Sequence, residues 1–137
     1  MCSINNVALK ASVLITYQVC GFEKVTLTSA TNSLKYFYNM SLTDIIPKTE
    51  IISSSKYLSL FSIDNTFCPI TNYQIVMQNG LSYSPYSKSD VSIDSVSKDI
   101  KVFITQNAKL NLFVKASSAA SIATSAYLPL NINITIA

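Results

Sequence analysis

Residues 7–19 read VALKASVLITYQV, a stretch in which every second side chain from Val7 is apolar and the side chains between them are mostly polar. A period of two is typical of a half-buried β-strand, because successive side chains of a strand point to opposite faces. At about 3.3 Å per residue the strand would reach roughly 40 Å, twice the usual strand length in a globular sheet. We therefore predict an extended N-terminal strand that joins a sheet, either its own or that of a neighbouring molecule. The apolar face of this N-terminal stripe consists of Val7, Leu9, Ala11, Val13, Ile15, Tyr17 and Val19.

The rest of the chain also favours strands. Short runs rich in β-branched and aromatic residues recur about every ten residues, the spacing of a sandwich or barrel. After Asn79-Gly80 either a type I′ hairpin or a longer loop is possible, and the Ser- and Tyr-rich residues that follow favour the loop. The predicted strands are Lys24–Thr28, Lys35–Met40, Thr49–Ser53, Lys56–Ile63, Asn72–Gln78, Val91–Ile93, Ile100–Thr105, Leu110–Ala116 and Leu128–Ile136.

The last of these strands repeats the pattern of the N-terminal stripe. Polar residues and Pro129 alternate with large aliphatic ones, and Pro129 indicates the start of a strand or an edge position. We predict that this strand presents the edge that accepts a donor strand. The residues of this acceptor edge are Leu128, Leu130, Ile132, Ile134 and Ile136.

Length and composition narrow the class of protein. The chain has 137 residues, of which 49 % are hydrophobic and 12 % charged, which predicts one domain with a real core. Its net charge of +3 comes from scattered lysines without arginine, a pattern that argues against nucleic-acid binding. No apolar run approaches the roughly 20 residues that a membrane span requires.

Catalytic chemistry has little to build on. The chain contains no His, which excludes Ser/His/Asp and Cys/His nucleophile systems and His-containing zinc sites. Two glycines do not make a phosphate-binding loop. We predict that the protein is not an enzyme and uses no cofactor or metal. Carboxylate-only chemistry remains conceivable, but no spacing selects a pair among Glu23, Asp44, Glu50, Asp64, Asp90, Asp94 and Asp99.

Cysteines and sequons bear on the location of the protein. Cys2, Cys20 and Cys68 fit no metal-binding spacing, so they are either buried thiols or disulfide partners. N-linked glycans are predicted at Asn39 and Asn133, and with the abundant Ser, Thr and Asn they favour an extracellular or cell-surface location. Residues 1–5 show no secretory leader, which leaves export by a leader outside this sequence or an intracellular protein as alternatives.

Several short segments share the pattern of a known group of modules: Cys20-Gly21-Phe22-Glu23, Cys68-Pro69-Ile70, Tyr73-Gln74-Ile75, Ser92-Ile93-Asp94, Ile100-Lys101-Val102, Leu112-Phe113-Val114-Lys115-Ala116 and Asn131-Ile132-Asn133-Ile134-Thr135-Ile136. Through them about two thirds of the chain resembles immunoglobulin-like and cadherin-like repeat modules of surface proteins from ciliates and other protists. The sequence departs from that pattern where Lys98-Asp99 stands in place of a turn glycine, and it lacks the paired acidic motifs that hold calcium between cadherin repeats.

The resemblance implies an all-β, immunoglobulin-like sandwich over residues 20–137, with residues 1–19 as an N-terminal extension. It also implies a disulfide between Cys20 and Cys68, which would contribute roughly 3 to 4 kcal/mol by restricting the unfolded chain. Three pairings of the three cysteines are possible, and reduced core thiols are the alternative to any of them.

Two functional hypotheses follow. In the first, the N-terminal stripe completes the sheet of a neighbouring copy, and the protein is a structural subunit of an extracellular filament or surface assembly whose partners are other copies of itself. The competing structural interpretation is that the stripe pairs within its own domain. In the second, the protein is a monomeric adhesive or glycan-binding module that uses tyrosines at Tyr36-Phe37-Tyr38 and Tyr83-Ser84-Pro85-Tyr86, although Tyr36 and Tyr38 share a face with Met40 in a manner that indicates core packing.

Overall fold

A computed structural model describes residues 20, 22–41, 43–119 and 124–136. The N-terminal stripe lies outside the described residues. The described part is all-β, as predicted, and its regular helical structure consists of two single 3-10 turns at Ser54–Lys56 and Leu58–Leu60. The strands are β1 (Val25–Leu27), β2 (Leu34–Asn39), β3 (Lys48–Ile52), β4 (Phe61–Ile63), β5 (Ile70–Asn79), β6 (Ser82–Pro85), β7 (Val91–Ile93), β8 (Ile100–Ile104), β9 (Ala108–Ser118) and β10 (Ala126–Thr135).

Within the part of the chain that the structure describes, the strands form three sheets. The largest has the order β2-β10-β9-β5-β6, in which β2 runs parallel to β10 and the other neighbours are antiparallel. A three-stranded antiparallel sheet has the order β3-β8-β7, and β1 pairs with β4 in a small antiparallel sheet.

Alternating side chains of these sheets build one core. In β10 every second residue from Ala126 to Ile134 is buried, and β8 contributes a matching set that begins at Ile100. Each large aliphatic side chain that is fully buried contributes about 1.5 to 3 kcal/mol. The core cluster includes residues from all three sheets, so the arrangement is sandwich-like. Tyr36, Tyr38 and Met40 pack together on this core, which confirms the interpretation of these tyrosines as core residues.

Two local predictions are wrong. Residues 56–60 of the predicted strand Lys56–Ile63 fall mainly in the 3-10 turns, and the strand begins only at Phe61. The Ser53 hydroxyl accepts a hydrogen bond from the backbone N–H of Ser55, a local bond that competes with extended structure. Asn79-Gly80 does not open a long loop, because Asn79 pairs with Ser82 across a two-residue turn in which Gly80 has a φ of 62°.

The predicted acceptor edge is also wrong. The strand that carries Leu128, Leu130, Ile132 and Ile134 lies inside the largest sheet. On one side it pairs with β9, and on the other its residues 130–135 pair with β2. An inner antiparallel strand and an edge strand show the same alternation when one face is solvated, so the pattern did not distinguish them.

Candidate functional site

One neighbour of β9 ends early. β9 pairs with β10 from Ala108 to Ala116, but with β5 only from Phe113 to Ser118. Beyond Val76, β5 no longer pairs with β9, although on its other edge it pairs with β6 from Val76 to Asn79 in a hairpin. Among the described residues, no strand therefore lies on the β5 side of residues 108–112. We call this opening, between residues 108–112 and residues 77–79, the strand gap.

Backbone groups of β9 point into the strand gap. Pro129 has no N–H, so its pair with Phe113 is not a hydrogen-bonded pair of the ladder, and the N–H and C=O of Phe113 face β5 instead. A second observation agrees. The C=O of Thr135 accepts a hydrogen bond from the N–H of Met40, so Thr135 faces β2 and its neighbour Ile134 faces β9. Ala108, the partner of Ile134, then faces β10, and the next residue of β9 faces the β5 side. Because alternate residues of a strand face the same side, Lys109 and Asn111 direct their N–H and C=O groups into the gap.

The opposite wall has the same property. The C=O of Ile75 accepts a hydrogen bond from the N–H of Tyr86, so Ile75 faces the β6 side. Alternation then directs the N–H and C=O of Val76 and Gln78 toward β9. Val76 pairs with Phe113, whereas Gln78 faces the gap. Both walls therefore present ladder groups, the arrangement that an added β-strand requires.

The side chains divide the strand gap into an apolar and a polar part. It encloses about 520 Å³. Leu110 packs against the core while remaining partly exposed, and Met77 is 38 % exposed. Lys109, Asn111 and Gln78 are exposed on the outward face. A strand with one apolar and one polar face would match this division.

An aromatic cluster holds the β5–β6 hairpin at the closed end of the gap. The rings of Tyr83 and Tyr127 stack with their centroids 3.8 Å apart, and Phe113 meets Tyr83 edge to face at 5.2 Å. Val76 lies on the same outward face because it is paired with Phe113, and it is only 2 % exposed. The cluster therefore ties β6 to β9 and β10, and the stacked ring faces are occupied by each other.

Polar residues link β2 to β3. Tyr36 donates a hydrogen bond of 2.9 Å to Glu50, and Tyr38 donates one of 2.6 Å to Asp44. The Lys48 ammonium lies 3.5 Å from Glu50 and 3.8 Å from Asp44. Burial, followed by the bond to Glu50, raises the pKa of Tyr36 above its usual range. The hydrogen bond from Tyr38 lowers the pKa of Asp44, so this carboxyl is unsuited to act as a general acid near neutral pH.

The predicted disulfide is confirmed. Cys20 and Cys68 are joined by an S–S bond of 2.01 Å, which ties the residue at position 20 to the segment that precedes β5. Beside it, Glu23 is only 4 % exposed and accepts a hydrogen bond from the hydroxyl of Ser118. The side chains of Cys20, Glu23 and Cys68 cluster within 4.8 Å. Both sulfurs are bonded to each other, so neither is a thiolate ligand for a metal in this state.

The two sequons lie on the outside of the largest sheet or at its end. Asn39 is the last residue of β2 and is exposed. Asn133 is half-buried in β10 between the buried Ile132 and Ile134, so its side chain is on the outward face. Its neighbours across the ladders are Lys109 on β9 and Phe37 on β2.

Comparison with known proteins adds no assignment: no protein-family profile matches the chain, and no curated protein or solved structure shows significant similarity to it. Within the described part of the chain, no helix has both the length and the apolarity needed to cross a bilayer.

Proposed function

We propose that the protein is a structural subunit of an extracellular filament or surface assembly that polymerises by strand addition between copies. The donor is the N-terminal stripe. The observation that carries the proposal is the strand gap, whose two walls direct backbone N–H and C=O groups toward an unoccupied strand position among the described residues. In strand addition, main-chain hydrogen bonds supply affinity, and alternate side chains set the register. The proposal assigns no catalytic role and no cofactor.

The strand order supports an immunoglobulin-like assignment of the sandwich. In such domains one sheet contains strands B, E and D as neighbours, and the other contains G, F, C and C′. The orders β3-β8-β7 and β10-β9-β5-β6 fit these sequences, with β2 beside the G-type strand. The disulfide departs from the usual B–F bridge of antibody domains, because it joins residue 20 to the segment before the C-type strand. The resemblance to protist surface repeat modules remains part of this proposal.

An extracellular location fits the chemistry of the chain. A disulfide is stable in oxidising compartments and rare in the cytosol. The outward position of Asn133 and the exposure of Asn39 leave room for N-linked glycans. We therefore place the assembly outside the cell or on its surface.

A pair of charge substitutions in the stripe tests the proposal. Ile15→Asp places a carboxylate on the apolar face, whereas Thr16→Asp places the same group on the polar face. We expect the wild type and Thr16→Asp to form polymers that sediment rapidly and appear as fibres in negative-stain micrographs, and Ile15→Asp to be monomeric and folded. Polymers of Ile15→Asp, or a wild type that remains monomeric at high concentration, would contradict strand addition by the stripe.

A second candidate is a monomeric adhesive or glycan-binding module. It is favoured by the volume of the strand gap, about 520 Å³, which is in the range of small-ligand sites. Lys88, Lys109 and the amides of Gln78 and Asn111 line it beside the Phe113 ring. A glycan array probed with the folded Ile15→Asp variant tests this candidate. Specific binding that is lost in Asn111→Ala supports it, and an array without a bound glycan contradicts it.

A further inference from the structure

We infer that the strand gap of one molecule binds residues 13–19 of a second copy. The inference rests on the proposed function. It specifies which surface accepts the donor, which residues of the stripe enter it, and that these residues come from a second molecule. The acceptor is then not the edge at residues 128–136 that the sequence predicts, but the edge of β9 that faces away from β10.

The lengths are compatible. The open part of β9, residues 108–112, measures about 17 Å at 3.3 Å per residue. Five to seven residues of a donor strand fill that length. Residues 13–19 read VLITYQV, which supplies a β-branched and aromatic segment of the required length.

The faces also match. In an added strand, Val13, Ile15, Tyr17 and Val19 would share one face, and Leu14, Thr16 and Gln18 would lie on the other. With the apolar face inward, these side chains cover the exposed parts of Leu110 and Met77 and extend the core. The backbone of the donor then meets Lys109 and Asn111 on one wall and Gln78 on the other, so it gains ladder bonds on both sides.

Charge selects the C-terminal half of the stripe. Lys88 and Lys109 line the strand gap. Lys10 in the first half of the stripe would bring a third ammonium to the same opening, and like charges side by side on a sheet are destabilising. Residues 13–19 carry no charge. They therefore fill the gap without this repulsion.

The position of Cys20 assigns the donor to a second molecule. Its Cα lies 5.7 Å from that of Cys68. The part of β5 from Ile70 to Met77 at the gap spans about 23 Å at 3.3 Å per residue. With the 5.7 Å at the Cys20 end subtracted, at least about 17 Å remains, for which an extended chain needs about five residues. Residues 15–19 would be used in reaching the molecule's own gap, so the whole of residues 13–19 enters only the gap of a second copy.

The same separation predicts an open polymer. The donor leaves the molecule at the Cys20–Cys68 end of β5, and the acceptor lies at the Met77 end. A contact between different surfaces at opposite ends is heterologous and repeats without closing, unless the rotation between copies closes a ring. Head-to-tail chains are the expected product.

Photo-crosslinking in an isotope-mixed sample tests the inference. Benzoylphenylalanine replaces Tyr17 in the full-length protein, and chains labelled with ¹⁴N and ¹⁵N are denatured together, refolded as a mixture and irradiated. We expect crosslinks from position 17 to the region of Met77 or Leu110, in peptides that join a ¹⁴N chain to a ¹⁵N chain. Crosslinks to the gap that join only chains of the same label would overturn the second-copy assignment. Mixed-label crosslinks to the outer edge of β2 would overturn the acceptor but leave strand addition intact, and a sample that is monomeric throughout would remove the proposed function itself.

A matched pair of surface variants gives an independent check. Met77 and Phe37 are both exposed large apolar residues, at 38 % and 66 %, but only Met77 lines the strand gap. We expect Met77→Glu to weaken self-association by more than about tenfold, because a donor strand would bury its carboxylate, and Phe37→Glu to leave association unchanged. Circular dichroism verifies that both variants are folded. Equal effects of the two substitutions, or an effect of Phe37→Glu alone, would contradict the assignment of the gap.

Discussion

The buried hydroxyl of Tyr57 donates a hydrogen bond to the backbone carbonyl of Lys98, which lies 41 residues further along the chain. Tyr57 is fully buried at 0 % exposure, between the two 3-10 turns. Lys98 has a φ of 65°, a left-handed conformation that side-chain-bearing residues rarely adopt. Tyr57 also meets the ring of Tyr73 edge to face at 5.9 Å. The contact ties the connection between β3 and β4 to the turn between β7 and β8.

Removal of the Tyr57 hydroxyl tests the importance of this tie. Tyr57→Phe keeps the ring but leaves the carbonyl of Lys98 without its donor, and we expect the free energy of unfolding to fall by about 1 to 2 kcal/mol. Tyr83→Phe is the matched control, because its hydroxyl makes no hydrogen bond among the described residues. Urea unfolding followed by circular dichroism measures both. Equal stability of Tyr57→Phe and the wild type would mean that the bond contributes nothing net.

Substitutions at Lys98 test the left-handed turn. We expect Lys98→Gly to be at least as stable as the wild type, because glycine adopts positive φ without the steric cost of about 1 to 2 kcal/mol. Lys98→Val should be less stable than either, since a β-branched residue is a strong outlier at this φ. Thermal unfolding of the three proteins gives the order. A valine variant as stable as the glycine variant would contradict the conformation assigned to this residue.

Lys98 and the strands differ in what the sequence reveals. A lysine at this position does not indicate the positive φ that the structure has there. The alternation of apolar residues predicts most strands to within two residues, because burial of one face imposes a period of two. It does not predict the 3-10 turns before Phe61, where serine side chains bond to the local backbone.

The candidate site was harder to anticipate. The strand gap arises because the pairing of β5 with β9 ends at Val76, while its pairing with β6 on the opposite edge continues to Asn79. Neither Gln78 nor Asn111 has an unusual local pattern, so no sequence periodicity identifies the end of the β9 pairing. Asn79-Gly80 indicates the β5–β6 hairpin, but this hairpin uses the other edge of β5 and does not indicate where the pairing with β9 ends.

Loss of the disulfide should destabilise the fold. The bond closes a separation of 48 residues, and we expect Cys20→Ser to lower the free energy of unfolding by about 2 to 4 kcal/mol. Cys2→Ser is the control, because Cys2 takes no part in the Cys20–Cys68 bond. Denaturant unfolding of the three proteins without reductant measures the difference. A dithiothreitol treatment that leaves the wild type as stable as before would argue against the structural role of the bond.

Stability should decline at alkaline pH in a defined window. Burial, followed by a hydrogen bond to Asp90, raises the pKa of Tyr86 to about 12. The unfolded state releases this proton near pH 10, so the contribution is complete below pH 10 and is lost as the pH rises to about 12. We expect Tyr86→Phe to show a shallower decline of unfolding free energy between these values. A Tyr86→Phe protein with the same slope as the wild type would exclude Tyr86 as a source of the decline.

Mixing two variants with complementary defects tests strand exchange most directly. Ile15→Asp damages the donor and leaves the strand gap intact, whereas Met77→Glu damages the gap and leaves the donor intact. The account predicts that each variant alone sediments as a monomer and that an equimolar mixture forms a 1:1 dimer that grows no further, because one functional donor meets one functional acceptor. A mixture that remains monomeric while the wild type polymerises under the same conditions would contradict the account.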